Sequence, residues 1–166
     1  MAVCLAIAMA IMMMPMAAMA APGTTVYLNS SSGDDANDGL SAANAVKTLD
    51  KALELAGEGG TILLGSTVFI SDDRTLEGVT ISRAEGFTAT MLVVSGSATL
   101  TLQNVTLDGA NVANSNYLVQ VSSGSTLNIG ADAVLENNQH TAVYAYNATV
   151  NMTGGTIRNN KVTRCV

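Results

Sequence analysis

Through the second half of the chain, apolar and polar residues alternate in short runs, and the runs recur. They begin "TLEGVTIS" at Thr75, "TLTLQNVTLDG" at Thr99, "TLNIGADAVLENN" at Thr126 and "TVNMTGGTIRNN" at Thr149. One apolar track is Ile81, Leu107, Leu135 and Ile157, at spacings of 26, 28 and 22 residues. A second is Leu102, Ile129 and Met152, at 27 and 23. A third runs through residues 91–94, 118–121 and 142–146. Within a run, Leu100 and Leu102 point one way while Thr101 and Gln103 point the other, because successive side chains on a strand alternate in direction. A period of 22 to 28 residues holding about three short strands is what one turn of a β-solenoid requires. A single turn cannot bury its inner face, so the repeats predict turns stacked at roughly 4.8 Å with like residues in columns.

The first half reads differently. Residues 25–28 form a short strand, and residues 30–44 a polar loop of Ser, Gly, Asp and Asn. Val46, Leu49, Leu53 and Ala56 then recur at helical spacing and predict one apolar stripe, stopped by Gly57. Residues 61–64 and 67–70 are β-branched runs parted by Gly65-Ser66, hence two strands. The Asn137-Asn138 and Asn159-Asn160 pairs fall at one phase of the repeat. They fit either a ladder of stacked side-chain amides or a residue type that tolerates left-handed turns.

The opening 25 residues carry no charge. They are apolar to Met14, broken by Pro15, and end in Ala18-Met19-Ala20. This reads as a secretory signal peptide over residues 1–20, although a basic leading segment is missing. The competing reading, an uncleaved membrane anchor, is weakened by Pro15 and the Ala/Met composition. Cys4 goes with the leader, which leaves Cys165 alone and no intrachain disulfide. The organisation is therefore a leader (1–20), an N-terminal strand, loop, helix and first coil (21–70), and solenoid coils (71–166) expected to continue past Val166.

The net charge of −6 is concentrated early: residues 34–85 hold ten acidic and four basic side chains, whereas residues 86–166 hold three of each. This acidic balance argues against nucleic acid as a partner, because phosphate binding needs a clustered Lys/Arg face.

The segment from Val26 to Leu64 resembles the start of right-handed parallel β-helix proteins of the pectin-lyase-like superfamily. The likeness rests on Asn37-Asp38-Gly39, the Lys47-Thr48 pair opening the helix, and the Gly59-Gly60-Thr61 bend, with Val46 where that family usually has an aromatic residue. Gly154 to Asn160 is similar to coils of bacterial secreted and surface β-helix proteins. The resemblance covers about residues 25–160. It implies an all-β, right-handed parallel β-helix whose N-terminal helix caps the apolar column, with Leu49, Leu53 and Ala56 against the first coil. It also implies a secreted or cell-surface location and no membrane contact once the leader is removed. Two roles follow: a structural, adhesive or polysaccharide-binding one, or the N-terminal part of a polysaccharide lyase or glycoside hydrolase with its catalytic coils beyond Val166.

Candidate chemistry is sparse. Asp108, Glu136 and Arg158 share one phase of successive coils and form the only catalytic candidate. The reading preferred for the same column is a charge-compensated outer ladder, with Glu136 paired to Arg158. No cofactor is indicated apart from Ca²⁺, for which Asp34, Asp35, Asn37 and Asp38 supply oxygens without the spacing of an EF-hand. His140, the single histidine, reads as an exposed turn residue. Tyr117, Tyr144 and Tyr146 offer rings to a sugar, with Tyr144 and Tyr146 on one outer face. Asn29, Asn104, Asn147 and Asn151 match the N-x-[ST] pattern that chance supplies in such a composition. A glycan partner is expected, together with self-association through the last coil.

Overall fold

A computed structural model describes residues 23–161. The expected leader, with Cys4 and Pro15, and Cys165 lie outside the described residues. The fold is a parallel β-helix of three sheets. The first contains, in spatial order, β1 (Thr25–Leu28), β2 (Thr61–Leu64), β5 (Thr80–Arg83), β8 (Thr106–Asp108), β11 (Val134–Glu136) and β14 (Thr156–Arg158). The second contains β3 (Val68–Ile70), β6 (Leu92–Val94), β9 (Val119–Val121) and β12 (Val143–Ala145). The third contains β4 (Arg74–Glu77), β7 (Thr99–Gln103), β10 (Thr126–Ile129) and β13 (Thr149–Met152). The chain visits the sheets in rotation from β2 to β14, making four circuits. Every pairing is parallel.

The register is the one the repeat predicts. Val26, Ile62, Ile81, Leu107, Leu135 and Ile157 are successive partners in the first sheet. Leu76, Leu102, Ile129 and Met152 align in the third, and Val68, Leu92, Val119 and Val143 in the second. These columns meet in one apolar cluster, in which Ile62, Leu76, Ile81, Leu102 and Leu107 are fully buried. Burial of each such side chain contributes roughly 1.5–3 kcal/mol. The inward residues of the last described coil are more open, with Val150 40%, Met152 50% and Ile157 43% exposed.

Each circuit needs sharp corners, and short polar residues supply them. Asn104, Asp132, Asn137, Asn147 and Asn159 all have φ between 46° and 56°, the left-handed region that Asn and Asp tolerate. This resolves the Asn pairs. Asn137 and Asn159 take the corner itself, each at φ 56°. Their neighbours turn to the main chain: Asn160 Oδ1 accepts from Asn138 N at 3.0 Å and its Nδ2 donates to Leu135 O at 2.9 Å. The amide ladder forms instead on the third sheet, where Asn151 donates to Asn128 Oδ1 at 3.0 Å and Asn128 to Thr101 Oγ1 at 3.4 Å.

The N-terminal mouth is closed by α1 (Leu49–Ala56), which packs on β1 and β2. Thr48 is its N-cap, accepting from Lys51 N at 3.2 Å, and Gly57 ends it at φ 64°. The buried face is Leu49, Ala52 and Ala56, with Leu53 and Leu55 only partly buried at its margins. The expected stripe therefore needs two corrections. Leu53 flanks the contact, because Ala52 lets the helix lie closer to the strands. Val46 is fully buried but precedes the helix, where it bridges Leu28 as an extended residue. The turn from helix to first strand requires glycine, since a Cβ on Gly60 would meet Ala56 O at 2.3 Å. The far side of β1 is also covered: Tyr27 N donates to Gly39 O at 2.7 Å and Val46 N to Tyr27 O at 2.9 Å. No helix among the described residues is long and apolar enough to cross a membrane.

Ala52→Asp is expected to cost about 3–5 kcal/mol in chemical denaturation, because it sets an uncompensated charge against the core. Leu53→Asp should cost distinctly less, and equal losses would contradict the observed face. Asp35 provides a pH test. Its Oδ1 accepts from Lys47 N at 2.8 Å and Thr48 N at 2.9 Å, and its Oδ2 from Thr48 Oγ1 at 2.8 Å. The Thr48 backbone N–H, with further help from the Thr48 hydroxyl and Lys47 N–H, holds this carboxyl below its ordinary value. A depressed carboxylate stabilises the fold above its unfolded pKa of about 3.9, and that stability is lost as pH falls through the folded value. The melting temperature of Asp35→Asn should thus lie below the parent's near neutrality, with the gap closing in acid. A gap that persists unchanged in acid would refute the clamp.

Candidate functional site

The charged column assembles as the spacing implied. Asp108, Glu136 and Arg158 are register partners on β8, β11 and β14. Arg158 Nε donates to Glu136 Oε2 at 2.7 Å, with Arg158 57% and Glu136 16% exposed. Asp108 Oδ1 accepts from Ala110 N at 2.8 Å and Asn137 Nδ2 at 3.1 Å. The two carboxylates thus stand on adjacent rungs, each with its own donors. A general acid or nucleophile needs a proton or lone pair directed at a substrate. The geometry here is an outer file in which Glu136 is paired with Arg158 and Asp108 is held by amide donors.

The acidic loop is likewise engaged with its own backbone. Asp34 Oδ1 accepts from Ala36 N at 3.0 Å and Asp38 Oδ1 from Leu40 N at 3.0 Å. Asn37 Nδ2 donates to Ala45 O at 2.9 Å, and Asp35 clamps the start of α1. Asx bonds of this kind fold polar loops into tight turns. Among the described residues no group of three His, Cys, Asp or Glu is placed to hold a metal ion.

The aromatic residues come together on and beside the outer face of the second sheet. Tyr117 and Tyr144 stack with centroids 4.9 Å apart and planes at 13°. Tyr144 stays 41% exposed and Tyr146 60%, as alternation implied. His140 is not the exposed turn residue expected. It is half-buried, with its ring edge-on to Tyr117 at 4.8 Å and its Nδ1 enclosed without a protein partner. The turn curls back here because Asn138 Nδ2 donates to the carbonyls of both His140 and Thr141, at 3.2 Å each.

Arg83 was not singled out from the sequence, yet it positions this aromatic group. It is 3% exposed, inside the corner between the first and second sheets. Its Nη2 donates to Asn116 O at 2.8 Å and Tyr117 O at 3.0 Å, and its Nη1 to Ala89 O. The guanidinium lies 5.4 Å from the Phe87 centroid. The acceptors on Arg83 are neutral oxygens, and burial pushes its pKa down to about 10, so it remains charged at neutral pH. The signal was present: Arg83 lies two residues past inward-facing Ile81, so alternation placed a charge on the inner side.

A cleft of about 300 Å³ opens where α1 meets the second sheet. Phe69, 70% exposed, stands on its wall. The charges around it are Lys47, Asp50, Asp72 and Arg74, of which Asp50 and Arg74 are paired.

Comparison with protein-family models, with curated proteins and with solved structures yields no match to this chain. The fold and the arrangement of side chains define it as a parallel β-solenoid protein with an aromatic outer surface.

Arg83→Met should cost about 2 kcal/mol or more in equilibrium unfolding, since it leaves the Ala89 carbonyl without its donor and takes one of two donors from the carbonyls of Asn116 and Tyr117. Arg158→Ala should cost less than about 1 kcal/mol, because the arginine of this pair stands mostly in solvent. Comparable losses for the two variants would contradict the roles assigned here.

Proposed function

We propose that this protein is a secreted or cell-surface β-helix of the pectin-lyase-like type with a structural or adhesive role, binding polysaccharide through the outer face of its second sheet. The observation that carries the reading is the aromatic group: Tyr144 and Tyr146 are exposed on a rigid strand and the turn after it, with Tyr144 backed by Tyr117. Flat rings held on a sheet offer apolar faces to the C–H faces of sugars, and tyrosine hydroxyls remain free to bond water or ligand. The family component is supported by what its three motifs do. Asn37 and Gly39 tie the loop to Ala45 and Tyr27, Thr48 caps α1, and Gly60 permits the bend into β2. Secretion rests on the uncharged leader-like segment over residues 1–20.

The purified chain should be retarded in gels containing its polysaccharide. The Tyr144→Ala/Tyr146→Ala double variant should weaken that binding about tenfold, which corresponds to about 1.4 kcal/mol. An unchanged melting temperature would show that the rings act on the ligand and not on the fold. Retention of full binding by the double variant would refute the site.

A further inference from the structure

The outer face of the second sheet extends well beyond the tyrosines. Phe69, Val93, Gln120 and Tyr144 are register partners at the centres of β3, β6, β9 and β12, one per rung. Backbone bonds from Ser95 N to Ile70 O, Ser122 N to Val94 O and Tyr146 N to Val121 O continue the same pairing. They set Ser71, Ser95, Ser122 and Tyr146 side by side as a second outward file. Both files therefore end in a tyrosine at the same rung, and the central file begins with the exposed ring of Phe69.

The charge pattern along these files is uneven in an informative way. Residues 86–107, 109–131 and 137–157 contain no Asp, Glu, Lys or Arg. Strands β6, β9 and β12 and the turns that flank them are consequently uncharged. Charges appear only at the Phe69 rung, where Lys47 and Arg74 are balanced by Asp50 and Asp72. An anionic chain laid on this face would lose hydration without gaining a cation along most of its length. A neutral chain with apolar and hydroxyl-bearing faces incurs no such loss.

The spacing is equally specific. Rungs lie about 4.8 Å apart, so the three steps from Phe69 to Tyr144 span roughly 14 Å. One rung is close to the length of one pyranose unit in an extended chain. Resting on the glycan-binding reading above, we infer that the ligand is an uncharged glycan chain running along the solenoid axis. A ring holds it at each end: Phe69 at the N-terminal rung, and Tyr144 with Tyr146 at the C-terminal rung. Gln120, Ser95 and Ser122 lie between them and meet the intervening sugar hydroxyls. Arg83 acts only indirectly, by fixing the carbonyl of Tyr117, whose ring backs Tyr144.

The test is calorimetric titration of the full chain with cello-, xylo- and manno-oligosaccharides from disaccharide to hexasaccharide, with oligogalacturonates of the same lengths as the anionic series. At least one neutral series should bind about tenfold more tightly at the tetrasaccharide than at the disaccharide and then level off. Phe69→Ala, a change at an exposed position, should leave the melting temperature unchanged and abolish that gain with length. Tyr144→Ala should weaken all lengths. Equal affinity for disaccharide and hexasaccharide, or no effect of Phe69→Ala, would overturn the axial arrangement while leaving a glycan site at the tyrosines. Preference for oligogalacturonates would overturn the assignment of a neutral ligand. Binding of none of the series would overturn both this inference and the reading on which it rests.

Discussion

Parallel, in-register stacking of one turn on the next is the constraint on which the rest of the structure depends. The three sheets share a single apolar column, and no turn can bury its inner face without neighbours. Ile81, Leu107, Leu135 and Ile157 must coincide because a slip of one residue would send each of them outward. The same requirement fixes the corners. A closed triangular circuit of short strands needs abrupt reversals, and Asn104, Asp132, Asn137 and Asn159 accept the left-handed backbone that those reversals demand.

A stacked column has ends and seams, and these are where the chain places its polar groups. At the N-terminal mouth, Asp35 gathers the amides that open α1, and α1 lays Leu49, Ala52 and Ala56 on the first rungs. At the corner between the first and second sheets, the loops are too long to be satisfied by strand pairing alone. Arg83 collects their carbonyls from within, a buried cation held by oxygen dipoles rather than a carboxylate. Asn138, fully buried, does the same one rung further on through the carbonyls of Asn116, His140 and Thr141.

This interior order gives the exterior its usefulness. A side chain on a solenoid strand is held at a fixed distance from its equivalents above and below, so a few exposed rings become a ruler. Tyr144 and Phe69 belong to the same file of the second sheet, and the uncharged rungs between them define a surface suited to a ligand that needs stacking and hydrogen bonds more than ion pairs. The charged file on the first sheet has a different character. Its Glu136 is paired with Arg158, and Asp108 is held by the Ala110 and Asn137 amides.

The amino-acid sequence by itself determined the solenoid, its period, the column of Ile81, Leu107, Leu135 and Ile157, and the alignment of Asp108 with Glu136 and Arg158. These depend on alternation and repeat length, which are local properties written along the chain. It also placed Tyr144 and Tyr146 outside. Only the tertiary structure decided which face α1 buries. Over eight residues a helical stripe fits more than one rotation, and the small Ala52 rather than Leu53 wins because it allows a closer approach to the strands. The tertiary structure also decided that Val46 is extended, that Tyr117 stacks on Tyr144, and that Arg83 is the inner tie of the loops. Those outcomes depend on how separate turns meet in space. Contacts between residues 27 or 34 apart, such as Tyr117 with Tyr144 and Arg83 with Tyr117, are set by loop paths rather than by any pattern within a strand.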